Sequence, residues 1–222
     1  AIIKDIIKNK LKKRVLSSLL LFPVIWIIII KGSIFFNLFL IISLIIALYE
    51  WYSMSKKKIY YYFGVFFLIF SFYTIYKVYN FNDSYLNFLF IFLTCIATDI
   101  GGYIFGKLFK GPRLVSISPN KTYSGVIGGY IFSIMLLTLF LNQTYFSFEK
   151  LDNLYITYIM IFIISSISQL GDIFVSYFKR LSNVKDTGKL IPGHGGLLDR
   201  ADGMIFAYPI YYLMLLANLK LF

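Results

Sequence analysis

The chain has little of what a soluble enzyme of its size uses to build a site. It carries one cysteine and one histidine in 222 residues. A lone cysteine, Cys95, excludes an internal disulfide, and its place in an apolar run reads as a small core residue. A lone histidine, His194, argues against a zinc centre, which draws on several His or Cys ligands. Charged residues make up 14% of the chain, against roughly a quarter in ordinary globular domains. Acidic residues are scarcer still, ten against 22 cationic ones. The Walker pattern G-x-x-x-x-G-K-[ST] is absent, as are a G-x-S-x-G elbow and a Ser-His-Asp order. P-loop and serine-hydrolase chemistry are therefore not expected.

Apolar sequence fills the space. Hydrophobic residues are 59% of the chain and mean hydropathy is +0.77. Long apolar runs of this kind predict an all-α, polytopic transmembrane bundle. About seven membrane helices are expected, over 15–30, 34–51, 60–79, 86–109, 125–141, 155–177 and 204–219. The first two and the last are short against the roughly 20 residues a bilayer requires. Trp51 and Tyr52 are expected at a membrane interface. Residues 1–14 set Ile2, Ile3, Ile6, Ile7 and Leu11 beside Lys4, Lys8 and Lys12, a basic amphipathic segment suited to a membrane surface. No small-x-small cleavage motif follows it. Residues 15–222 read as one membrane-embedded domain.

Cationic residues are unevenly distributed between the loops. The N-terminal segment, the 56–58 loop, the 107–121 region and the 176–202 block hold 18 of the 22. Lys31, Lys77, Lys150 and Lys220 fall on the other side. This asymmetry predicts a cytoplasmic N-terminus, with the 110–124 and 180–200 loops on that same face. The net charge of +12 then reflects cytoplasmic loops and anionic lipid, and nucleic acid is not an expected partner.

Polar chemistry is concentrated in residues 176–202. That block holds five cationic residues, three acidic ones, four glycines and the only histidine. Asp199 and Asp202 stand three apart, on one face if helical. With Asp172 they make a hard oxygen set suited to Mg²⁺ beside phosphates. Lys179, Arg180, Lys185 and Lys189 are placed to neutralise phosphate charge. His194, in a Pro-Gly-His-Gly-Gly turn, is open to three readings: acid or base, phosphate donor, or loop hydrogen bond. Asp99 and Asp172 sit in apolar runs, where an unpartnered carboxylate costs roughly 3 kcal/mol. Ser165, Ser168, Asp172, Ser176 and Lys179 form one helical stripe, expected to face a hydrated cavity. Lys121 and Thr122 precede a Gly-rich helix start, which suits either an anion site or a plain helix cap. Gly102, Gly106, Gly125 and Gly129 form small-residue faces for close helix packing.

The block resembles the signature of the phosphatidate cytidylyltransferase (CDP-diacylglycerol synthase) family. The resemblance rests on Ser176, Lys179-Arg180, Lys185-Asp186, Pro192 to Gly196, and Asp199-Arg200-x-Asp202. Gln169-Leu-Gly-Asp172, Asp99-Ile-Gly-Gly-Tyr103 and Ser118-Pro-Asn-Lys121-Thr122 are similar as well, so the motif-bearing part spans 97–203. Two positions depart: Ser124 stands where Glu is usual, and Gly203 where Ser is common. The resemblance implies transfer of the cytidylyl group of CTP to phosphatidate with Mg²⁺, yielding CDP-diacylglycerol and pyrophosphate. It implies Asp172, Asp199 and Asp202 as metal carboxylates. Lys121, Lys179, Arg180, Lys185 and Arg200 become phosphate contacts, with Ser118 and Thr122 beside them, and Asp99 and His194 become orienting groups. A second cation and a homodimer stay open. A CTP-dependent lipid kinase and a transporter are the competing readings. The Asp-Gly-x-x-Ala-Arg signature of CDP-alcohol phosphotransferases is absent. The expected location is a bacterial inner membrane, with the active site on the cytoplasmic side.

Overall fold

A computed structural model describes residues 23, 25–56, 58–81, 85–115, 117–118, 121–141, 154–188, 190 and 195–217. The amphipathic segment 1–14, most of the first expected span, and His194 and Lys189 lie outside the described residues. After a helical stretch over 25–31, which ends at Gly32 with φ 65°, the helices are α1 (Ser33–Ser55), α2 (Tyr61–Tyr79), α3 (Leu86–Phe109), α4 (Tyr123–Leu141), α5 (Leu154–Leu181), α6 (Leu198–Ala201) and α7 (Met204–Leu216). Among the described residues there is no strand, only isolated bridge positions such as the antiparallel pair Arg113 and Thr122.

Among the described residues five helices are long and apolar enough to cross a membrane, at 18 to 27 residues each. Their outward faces carry Ile34, Phe35, Ile45, Phe63, Phe66 and Ile127, each more than half exposed. An apolar surface of that extent suits lipid rather than water. The all-α membrane architecture stands, and most of the first expected span lies outside the described residues. The last expected span is a 13-residue helix, about 20 Å long, which is short of the ~30 Å hydrocarbon core.

The chain divides into two compact units. One comprises residues 1–72 and 179–201, the other 73–178 and 202–222. In the first, α1 and the start of α2 form a hairpin. Trp51 donates from Nε1 to the Tyr61 carbonyl at 3.0 Å. A Cβ on Gly64 would overlap the Trp51 indole, so the ring lies flat on that glycine. Trp51 is therefore 6% exposed and packs inside the unit. Tyr52 remains exposed.

In the second unit, α3 and α4 meet along glycines. A Cβ on Gly101 would lie 2.5 Å from both the Gly128 carbonyl oxygen and Phe132 Cβ, and one on Gly125 would lie 2.9 Å from the Gly102 carbonyl. One on Gly128 would overlap the Phe105 ring. The expected small-residue seam is present, and its tightest points are Gly101 and Gly128. α7 docks on α3 through polar tips on apolar rings. Tyr208 donates to the Phe88 carbonyl at 3.2 Å, and Tyr211 donates to Asn87 Oδ1 at 2.5 Å. Residues 202–206 press on α5 at Gly171 and Ser168. A Cβ on Gly171 would lie 2.9 Å from the Asp202 carbonyl oxygen.

Candidate active site

In the first unit the polar block begins where α5 ends. Val184 N–H returns to the Lys179 carbonyl at 2.9 Å and Asn183 N–H to the Arg180 carbonyl at 3.0 Å. Asn183 has φ 58°, a left-handed value that Asn tolerates better than most residues. This pair of bonds is a Schellman-type stop, and it turns the chain back toward its own helix end. Lys179 Nζ then meets Asp199 Oδ1 at 2.9 Å. Asp199 Oδ2 accepts from Thr187 N–H at 2.8 Å, Gly196 N–H at 2.9 Å and Thr187 Oγ1 at 3.1 Å. Gly195 has φ 90°, and a Cβ there would lie 2.6 Å from the same oxygen. Burial alone would push the Asp199 carboxyl up. The Gly196 N–H, the Lys179 ammonium and the Thr187 N–H outweigh burial and hold it below the usual carboxylate range.

Glu50 and Thr187 belong to this cluster and are absent from the expected site residues. Glu50 sits on α1 and is 4% exposed. Its Oε1 accepts from Leu197 N–H at 2.8 Å, and its Oε2 from Leu198 N–H and Thr187 Oγ1, each at 2.9 Å. A carboxylate in an apolar helix costs roughly 3 kcal/mol on insertion scales, and these donors meet that cost. A sequence signal existed. Glu50 is the only acidic residue between Asp5 and Asp83, and it interrupts an apolar run just as Asp99 and Asp172 do. Arg180, Lys185 and Arg200 are exposed on the same unit, as phosphate-binding cations require.

The second unit holds a second ion pair. Lys121 Nζ lies 2.5 Å from Asp172 Oδ2 and donates to the Gln169 carbonyl at 3.1 Å. The loop before α4 sets it there. Leu114 N–H bonds to the Lys121 carbonyl at 2.8 Å, and Lys121 N–H to the Ser118 carbonyl at 3.1 Å. Thr122 Oγ1 accepts the Gly125 N–H at 3.1 Å, so Thr122 is an N-cap of α4. Ser124, at the departing position, donates from Oγ to the Lys110 carbonyl and pairs with Thr122 Oγ1 at 3.0 Å. A hydroxyl there ties the loop ends together and offers no carboxylate. Asp202 is buried and accepts its neighbour's Gly203 N–H at 3.0 Å. Asp99 lies on an exposed face of α3.

The polar stripe on α5 differs from expectation. Ser165 and Ser168 are fully buried, and Ser165 accepts from Thr98 Oγ1 at 2.9 Å. This half of the stripe is a helix interface and does not line a cavity, because α3 and residues 202–203 close over it. Only Asp172, with a side chain 31% exposed, stays open.

The two ion pairs therefore differ in kind. Lys179 and Asp199 have side chains 11% and 5% exposed, and breaking a buried pair costs about 3–5 kcal/mol. Lys121 and Asp172 are 20% and 31% exposed, a setting where a pair contributes about 0–1 kcal/mol. The first pair braces a loop. The second is the more exposed of the two. Among the described residues no group of three or more His, Cys, Asp and Glu is gathered to hold one ion. Of Asp172, Asp199 and Asp202, the first two are each matched to an ammonium. In kind they fit a hard divalent cation, being carboxylate oxygens with no soft donor among them.

Residues 59–217 match the cytidylyltransferase family. The chain belongs to that family. The phosphatidate cytidylyltransferase of Rickettsia bellii (strain RML369-C) is 34% identical over 94% of this chain and 92% of its own length. That of Rickettsia conorii (strain ATCC VR-613 / Malish 7) is 32% identical over 96% and 94%. That of Staphylococcus haemolyticus (strain JCSC1435) is 40% identical over 61% of this chain and 51% of its own. The family match begins at residue 59 and so takes in both ion pairs, while Glu50 precedes it.

Proposed function

We propose that this chain transfers the cytidylyl group of CTP to phosphatidate, forming CDP-diacylglycerol and releasing pyrophosphate. The observation that carries the reading is the partly exposed Lys121–Asp172 pair in a membrane-embedded unit. It is a phosphate-seeking ammonium held on a carboxylate, where a lipid headgroup meets a water-soluble nucleotide. Relatives named for this activity along most of their length support it.

The attacking phosphatidate oxygen is already anionic, so no strong base is needed. The task is to bring two anions together and to stabilise charge as pyrophosphate leaves. Lys121, Arg180, Lys185 and Arg200 serve as phosphate contacts. Lys179 orients Asp199, and Thr122 and Ser118 shape the loop that carries Lys121. Asp99 and His194 are assigned orienting parts. Asp172, Asp199 and Asp202 are the carboxylates proposed as ligands of Mg²⁺. When bound, Mg²⁺ neutralises triphosphate charge and polarises the reacting phosphoryl group. The lipid tails stay in the bilayer, and the reaction faces the cytoplasm of a bacterial inner membrane, as the cationic asymmetry of the loops supports.

The test is pyrophosphate release by the purified protein, dependent on both CTP and phosphatidate. Asp172→Asn is expected to lower turnover by at least about 100-fold, the scale for losing one preorganised electrostatic group. Lys58→Gln, an exposed position outside the polar block, is expected to leave it unchanged. Release of CDP without pyrophosphate would make the protein a lipid kinase and overturn the reading.

A further inference from the structure

The cluster around Asp199 is built on a carboxylate that none of the signature residues supplies. Glu50 lies 147 and 148 residues from Leu197 and Leu198, yet its two oxygens take both of their N–H groups. These are the amides at the start of α6, the single helical turn that carries Asp199. The third donor, Thr187 Oγ1, lies 2.9 Å from Glu50 Oε2 and 3.1 Å from Asp199 Oδ2. One hydroxyl, with one proton to give, thus stands between the two carboxylates, and the N–H of the same residue is fixed on Asp199. The glycines fit the same carboxylate. A Cβ on Gly188 would lie 2.7 Å from Glu50 Oε1, and one on Gly196 would overlap both Glu50 oxygens and Thr187 Oγ1. The backbone at Gly188 and at residues 196–198 is therefore shaped around Glu50.

Glu50 forms no ion pair among the described residues, where the two pairs are Lys121–Asp172 and Lys179–Asp199. Its charge is met by N–H and O–H donors alone. Neutral donors of fixed direction hold a carboxylate in one orientation, where a flexible lysine would let it drift.

We propose that Glu50 is a positioning residue, acting through Thr187 and the 196–198 turn to set the orientation of Asp199. Its catalytic consequence rests on the cytidylyl-transfer reading; the clamp itself does not. Glu50→Gln keeps the shape but turns an amide NH₂ toward at least one N–H donor. Groups that hold a functional carboxylate from behind typically cost 10- to 100-fold when lost. Glu50→Gln is therefore expected to lower kcat by about 10- to 100-fold, with KM for CTP shifted by less than about threefold.

The experiment uses the full-length protein in detergent with CTP and phosphatidate micelles, reading pyrophosphate, alongside amide hydrogen exchange. In Glu50→Gln, exchange in the peptide holding Leu197 and Leu198 should quicken by at least about tenfold, while α3 peptides stay unchanged. Thr187→Val, which removes only the hydroxyl link, should also lower kcat, and Thr187→Ser should restore most of it. The kcat losses of Glu50→Gln and Thr187→Val should be less than additive in the double variant. Unchanged exchange at Leu197 and Leu198 overturns the clamp. Faster exchange there with wild-type kcat overturns the positioning role. If Glu50→Gln exchanges faster everywhere, the Thr187 pair decides: a drop in Val recovered in Ser supports the proposal, and wild-type kcat in Val overturns it. A wild-type protein that releases no pyrophosphate refutes the reaction, and exchange still tests the clamp.

Discussion

Lys121 and Lys179 each meet one carboxylate, yet their surroundings give them different work. Lys179 is buried with Asp199, whose oxygens also take donors from Thr187 and Gly196. The carboxyl of Asp199 is held below its ordinary value near 3.8. A depressed folded value means that the stability it contributes is complete above the unfolded value. That stability is lost as pH falls from about 5 through 3.8 and below. Asp199→Asn leaves the Lys179 charge buried without its counter-ion, a loss of about 3–5 kcal/mol at neutral pH. Thermal unfolding in detergent from pH 7 to 3 should show a fall below about pH 5 that is shallower in Asp199→Asn than in wild type. Identical pH slopes in the two proteins would remove Asp199 from the acid response. Of these residues the polar block was legible by composition, and Asp172 by its cost in an apolar run. Thr187 was not, because a threonine in a polar loop carries no signal until its partner is known.

At the scale of elements, periodicity and small-residue spacing carried most of the information. The α3 and α4 spans fall close to their expected ranges, since long apolar runs leave few alternatives. The glycine seam was legible too, though its tightest contacts were not. Gly101 has the Gly128 carbonyl and Phe132 Cβ at 2.5 Å from a built Cβ, whereas Gly102 has its nearest neighbour at 3.5 Å. Backbone has no rotamer to yield, so Gly101→Ala should destabilise the α3–α4 pair by about 1–3 kcal/mol. Gly102→Ala should stay within about 0.5 kcal/mol. Unfolding in detergent checks the contrast, and equal midpoints for the two variants would contradict it. The α5 stripe marks where spacing alone fell short. A polar face predicts that something polar lies opposite, but water and a neighbouring helix satisfy it equally well. Thr98 on α3 and the close approach of Gly203 to Ser168 chose the helix.

At the scale of the whole molecule, the cationic loops predict orientation in the bilayer. Cys95 is 1% exposed, so the wild-type chain should resist a membrane-impermeant thiol reagent and serve as a blank background. Lys77→Cys should then be labelled from outside intact cells, and Lys58→Cys only after the membrane is opened. The opposite pattern would invert the orientation.

The all-α membrane class, the positions of the long helices and the polar block were determined by the sequence alone. Hydrophobic run length and charge density are local properties that folding does not alter. Which charges meet was decided by tertiary structure. Lys121 with Asp172, Lys179 with Asp199, and Glu50 with two amides nearly 150 residues away are pairings between distant segments. Spacing cannot rank such pairings, because a buried carboxylate accepts whatever donor the packing delivers to it.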